Sequence, residues 1–163
     1  PVSTYATTTR CGVTADWGAW TSTNSLPTTA GYYYLNSDVT ITGTVDISGT
    51  THLDLNGKTV TFTNSEAGSA IAISGSNKLY LYDSDINGNG KITKASTARY
   101  ERAFYLNNGG SLYIYGGMFD ELGFNKLFRS VISNFDFYDK ILLKNKLEEN
   151  LSILELKTGE QKK

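Results

Sequence analysis

The residues of this chain that could do chemistry are few. Asp54, Asp83 and Asp85 are its best-placed carboxylates, and Arg99 and Arg102 follow soon after them. Carboxylates stacked on adjacent turns of a repeat, with an arginine as base, suit a polysaccharide lyase or, as a carboxylate pair, a glycoside hydrolase. The competing reading is that these aspartates cap turns through Asx-type hydrogen bonds. Asp85-Ile86-Asn87-Gly88-Asn89-Gly90 has the first half of a calcium loop, with oxygen ligands at Asp85, Asn87 and Asn89 and glycine at the sixth position. Its twelfth position is Ser96 rather than a bidentate glutamate, so calcium is the only cofactor it suggests, weakly held, and a plain turn is the alternative. One cysteine, Cys11, and one histidine, His52, are too few for a zinc site or a thiol nucleophile, and Cys11 is expected to be buried or half-buried.

The elements that must position these groups repeat. Ile71-Ala72-Ile73 and Leu79-Tyr80-Leu81-Tyr82 recur as Phe104-Tyr105-Leu106 and Leu112-Tyr113-Ile114-Tyr115. The displacement is constant from Ile71 to Phe104 and from Leu79 to Leu112, and no gap is needed to align the copies. Short alternating strands at a fixed period predict stacked, solenoid-like units. If the aliphatic residues face inward, Tyr80, Tyr82, Tyr113 and Tyr115 form a two-by-two outer patch. Such a patch can stack on sugar rings or serve as packing surface. Trp17 and Trp20, three apart in extended chain, point to opposite faces, so at least one should be partly exposed. They offer a sugar platform or a cap over the open end of the core.

Before the repeat, Pro1 to Thr23 reads as an extended N-terminal segment, and Leu26 to Gly31 as a turn. Strands follow at Tyr32–Leu35, Val39–Ile41 and Val45–Ile47. Around Leu53-Asp54-Leu55-Asn56-Gly57, the leucines face inward, Asp54 faces outward, and Asn56-Gly57 marks either a corner between strands or a hairpin turn. Lys91–Thr93 is a further strand. After Gly117 the composition changes: more than half of the chain's charged residues fall in its last stretch, Met118 to Lys163. Phe124, Leu127, Phe128, Val131 and Ile132, then Leu143, Leu147, Leu151 and Leu154, fall at helical spacing. The expected division is therefore 1–117, all-β, and 118–163, one or two amphipathic helices that either cap the last coil or are foreign to the repeat.

Composition excludes some partners. A net charge of −1 offers no basic field for nucleic acid. No apolar run reaches the ~20 residues of a membrane span. Low charge with abundant Gly, Tyr, Ser and Thr suits an all-β extracellular protein. The chain begins at Pro1, which suggests a removed signal peptide or an excised piece.

Two segments, Leu53-Asp54-Leu55-Asn56-Gly57-Lys58-Thr59-Val60 and Gly109-Gly110-Ser111-Leu112-Tyr113-Ile114-Tyr115-Gly116-Gly117-Met118-Phe119, together with Trp20 to Leu35, carry a resemblance over residues 17–117. They resemble the right-handed, pectate-lyase-like parallel β-helix repeats of large secreted or wall-attached bacterial surface proteins. The resemblance implies a short right-handed parallel β-helix of about three to four coils, here followed by an α-helical C-terminal segment. It also implies an extracellular or cell-surface setting. The expected function is a non-catalytic module in adhesion or contact with a polysaccharide or cell-surface glycan. A fragment of a polysaccharide-degrading enzyme and a structural stalk are the alternatives.

Overall fold

Alternation of aliphatic with polar or aromatic residues, broken every few residues by Gly, Asn or Asp, yields a series of short strands. The computed structural model describes residues 1–99, 102–119 and 135–137, and among them it is all-β, without a helix. The strands are β1 (Val2–Arg10), β2 (Val13–Trp20), β3 (Thr29–Leu35), β4 (Val39–Ile41), β5 (Val45–Asp54), β6 (Thr59–Phe62) and β7 (Ser69–Ser74). They continue as β8 (Lys78–Tyr82), β9 (Lys91–Lys94), β10 (Arg102–Asn107), β11 (Ser111–Ile114), β12 (Met118–Phe119) and β13 (Phe135–Phe137).

Among the described residues all pairings are parallel except β1 with β2. A first ladder runs β1-β2-β3-β5-β8-β11-β13 and a second runs β4-β6-β9-β12. β5 also feeds a third: Val45–Ile47 pairs with β7, which pairs with β10, while Thr50–Asp54 pairs with β8. From β3 to β12 the chain visits first, second and third ladders in the same order each time.

The repeat register is as the spacing requires. Phe104 pairs with Ile71, Leu106 with Ile73, Leu112 with Leu79 and Ile114 with Leu81. Earlier circuits are shorter: Tyr33 pairs with Leu53, and Leu53 with Leu81. From Tyr33 to Ile114 successive circuits of the first ladder therefore lengthen, the step from Leu112 to Phe135 is shorter again, and the period read from the repeat belongs to one circuit, not to the whole.

Inward residues of each ladder meet in one core. Leu35, Leu53, Leu79, Leu81, Leu112 and Ile114 come from the first ladder, and Leu55 from the corner after it; Val39, Ile41, Val60, Phe62, Ile92 and Phe119 from the second; Val45, Ile47, Ile71, Ile73 and Phe104 from the third. Each such side chain contributes about 1.5–3 kcal/mol relative to exposure. Asn56 (φ 51°) and Gly57 (φ 74°) form a tight turn closed by the Lys58 N–H on the Leu55 carbonyl. It has the geometry of a hairpin loop, yet β5 and β6 lie in different ladders, so it is a corner.

Several boundaries differ from expectation. The N-terminal segment is not merely extended: β1 and β2 form an antiparallel hairpin. β3 begins at Thr29, inside the expected turn, because Thr29 already pairs with Ser48. The expected strand Val45–Ile47 runs on to Asp54, since positive φ at Gly49 lets the chain change ladder without leaving extended structure. Met118 and Phe119, placed in the expected tail, extend the second ladder by pairing with Lys91 and Ile92. The expected helices over 120–134 and 138–163 lie outside the described residues, but Phe135–Phe137 between them is a strand beside Leu112–Ile114.

Truncating a core residue in the middle of the stack should be far costlier than trimming the outer surface. Leu81→Ala should lose about 3 kcal/mol and Tyr113→Ala about 1 kcal/mol or less in guanidinium unfolding. Equal losses would contradict the inward–outward assignment.

Candidate functional site

On the first ladder the residues between the aliphatic ones point outward, and parallel in-register pairing stacks them. Tyr32, His52, Tyr80 and Tyr113 form one column, with ring centroids 4.1, 4.3 and 4.5 Å apart and planes within 17°. Tyr82 and Tyr115 form a second, at 5.2 Å. The His52 Nδ1 and the Tyr82 hydroxyl, 2.8 Å apart, link the columns. Trp17 lies edge-on to both Tyr32 and Tyr82, at 5.3 and 5.9 Å. The expected two-by-two tyrosine patch is thus part of a larger array. Its ring faces are largely taken up by one another, so a sugar could reach chiefly edges and hydroxyls.

Exposure departs from expectation. Tyr82 is buried and Tyr115 is the most exposed member of the array. Both tryptophans are buried, not one exposed. Trp17 is covered on the outer side, where its indole N–H donates to the Val13 carbonyl. Trp20 packs edge-on against Tyr33 at the start of the core and donates to the Ser25 carbonyl. Trp20 therefore caps the core, whereas Trp17 belongs to the aromatic array.

Burial lowers the pKa of His52 to about 4, so the imidazole is neutral at pH 7. The Tyr82 phenol is pushed up, chiefly by burial and then by Tyr115 and its other ring neighbours. His52 and Tyr82, which link the two columns, are therefore both uncharged at neutral pH.

At the corner beyond β5, Asp54 projects outward as expected but is fully buried, because the β1–β2 hairpin folds over it. Arg10 donates from Nη1 to Asp54 Oδ2 at 2.9 Å and to Ser84 Oγ at 3.3 Å, and its guanidinium carbon sits 3.6 Å above the Tyr34 ring centre. Asp54 Oδ1 accepts the backbone N–H groups of Asn56 and Ser84, at 2.9 and 2.8 Å. Asp83 is similarly committed: Oδ1 accepts from Gly57 at 2.9 Å and Asp85 at 3.3 Å, and Oδ2 from Gly90 at 2.8 Å. Asp85 Oδ2 accepts the backbone N–H and the side-chain amide of Asn89, at 3.0 and 2.7 Å. A calcium ion at Asp85, Asn87 and Asn89 would have to replace these bonds. Arg99 lies between the second and third ladders and Arg102 opens the third, over Tyr105, so the fold does not gather them with the corner aspartates.

Cys11 is exposed at the hairpin tip, not buried. With Gly12 it supplies the two positive-φ residues of a type I′ turn (φ 50° and 78°), an arrangement favouring Asn-Gly rather than Cys-Gly. Partial desolvation of the thiol, then the Asp54 and Asp83 charges, push it up to about 11, so it remains a protonated, poorly nucleophilic thiol. Beneath the tip opens a cleft of about 590 Å³ lined by Thr8, Thr9, Arg10, Cys11, Asp83, Ser84 and Tyr115.

Arg10, Tyr34, His52 and Ser84 are not marked as site residues by spacing. Tyr32 and His52 share outward parity with Tyr80, but the unequal lengths of the circuits conceal their alignment. No protein-family model, curated protein or solved structure matches the chain.

Two outcomes follow. Because the folded His52 pKa lies below the usual 6.5, the unfolded chain binds the proton more readily between those values. Stability is full above pH 6.5 and falls as pH drops toward 4; the loss should be about 1–2 kcal/mol between pH 7 and 5, and His52→Phe should flatten this part of the melting profile. Arg10→Met should cost about 2–3 kcal/mol by leaving the Asp54 charge buried without its partner, and Arg10→Met with Asp54→Asn should recover part of that loss in thermal unfolding.

Proposed function

We propose that the chain is a non-catalytic module of a secreted or cell-surface protein, with its three ladders wound as a short right-handed parallel β-helix. The recurring ladder order and the exact register of the last two circuits support the winding. The observation that carries the non-catalytic reading is the commitment of the corner carboxylates. Both oxygens of Asp54 and of Asp83 already hold backbone N–H groups or Arg10. A general acid or metal ligand drawn from them would undo the corners that fix the strands. The resemblance to bacterial surface-protein repeats supplies the setting.

Contact with a polysaccharide or cell-surface glycan is the surface role that the hairpin cleft favours. It combines the hydroxyls of Thr8, Thr9 and Ser84 with the partly exposed ring of Tyr115. Hydroxyl-rich walls beside one accessible aromatic ring suit a sugar. The enzyme alternative would instead require Asp83 or Asp85 to leave its turn.

A glycan array with a reducing-end assay on polyuronides, with and without calcium, separates these readings. Retention of a glycan, weakened about 3- to 10-fold by Tyr115→Ala, is expected, with no release of reducing ends. Turnover abolished by Asp83→Asn would overturn the non-catalytic reading. Silence on both assays would leave the stalk.

A further inference from the structure

β1 is the last strand of the first ladder, and among the described residues it pairs only with β2. Its interior residues are exposed on both faces, with Tyr5 61% exposed. The type I′ loop at Cys11-Gly12 makes Arg10 and Val13 a hydrogen-bonded pair, and the alternation continues at Thr8–Ala15 and Ala6–Trp17. The intervening Tyr5, Thr7 and Thr9 must then direct their backbone N–H and C=O groups away from β2, along the open edge.

Open edges are ordinarily blunted by lysine, proline or inward charge. β1 carries none from Val2 to Thr9, and its register shift against β2, between Val2 and Tyr5, lies outside the Tyr5–Thr9 segment. Its open edge is also self-complementary. Antiparallel pairing of two copies about Thr7 sets Thr7 opposite Thr7, and Tyr5 opposite Thr9, an aromatic–β-branched pair. Arg10, the one charge on β1, lies beyond the Tyr5–Thr9 segment and already bonds to Asp54. Asp16, held to the Thr7 hydroxyl, would meet its counterpart only across three strand spacings, about 14 Å, beyond the screening length of physiological salt. One two-fold axis satisfies both edges, and the contact closes on itself.

We propose that this edge pairs with the β1 edge of a second copy, joining two first ladders into one continuous sheet. The contact is small, so self-association is expected with a Kd on the order of 10–100 μM.

Sedimentation velocity of the full chain across that range tests the proposal. The expected result is a concentration-dependent monomer–dimer shift that Thr7→Pro abolishes without lowering the melting temperature by more than a few degrees. Proline is tolerated there because the Thr7 N–H is not used within the hairpin. Thr7→Lys, which opposes like charges at the axis, should also abolish the shift and carries the test if the proline variant misfolds. In a Cys11→Ser background, Thr7→Cys should cross-link under mild oxidation, since hydrogen-bonded pairs lie about 5.5 Å apart at Cα. Thr8→Cys should not. A chain that stays monomeric throughout, a folded Thr7→Pro or Thr7→Lys variant that still dimerises, or Thr8→Cys cross-linking as fast as Thr7→Cys would overturn the proposal.

Discussion

Parallel, in-register pairing is the constraint on which everything else depends. Each rung of a parallel ladder sets a residue about 4.8 Å from its counterpart on the next strand, with the side chains pointing the same way. Like therefore lies on like: leucine on leucine inside, ring on ring outside. The core of aliphatic side chains and the outer column Tyr32-His52-Tyr80-Tyr113 are two consequences of one register. A slip by one residue would exchange them, exposing leucines and burying phenols.

Corners follow from the same constraint. Where strands stack, so do the turns between them, and the backbone N–H groups there find no strand partner. Asp54 and Asp83 reach from one circuit to the next to satisfy them: Asp54 accepts from Ser84 one circuit later, and Asp83 from Gly57 one circuit earlier. The carboxylates that look most chemical in the sequence are thus the stitches between layers. Arg10, brought in by the hairpin, neutralises the one that is completely buried.

Legibility tracks the locality of the signal. The inward–outward alternation of Leu79–Tyr82 and Leu112–Tyr115, the positions of Leu53, Leu55, Val60 and Phe62, and the corner at Asn56-Gly57 as one of two readings can all be read from neighbouring residues. The hairpin cannot: its β1–β2 loop is Cys-Gly, without the usual Asn or Asp, and its β1 strand is exposed on both faces. Burial of Trp17, Tyr82 and Asp54 is equally hidden, since each is covered by residues distant along the chain. Cys11 defies the expectation of burial, which rests on the habit of cysteine, because here it occupies a tip where the backbone must turn.

The unequal circuits carry a further meaning. Going from the Tyr33–Leu53 circuit to the Leu79–Leu112 circuit adds residues between ladders, while the paired residues keep their register. By the logarithmic dependence of loop closure on length, that lengthening costs about half a kcal/mol of chain entropy. The connections can therefore grow or shrink almost independently of the stack. In evolutionary terms the ladders and their aspartate stitches are the fixed grammar of such a chain, and the crest of the loop at Ile86, 97% exposed, is ground on which new surface can be tried at little energetic risk.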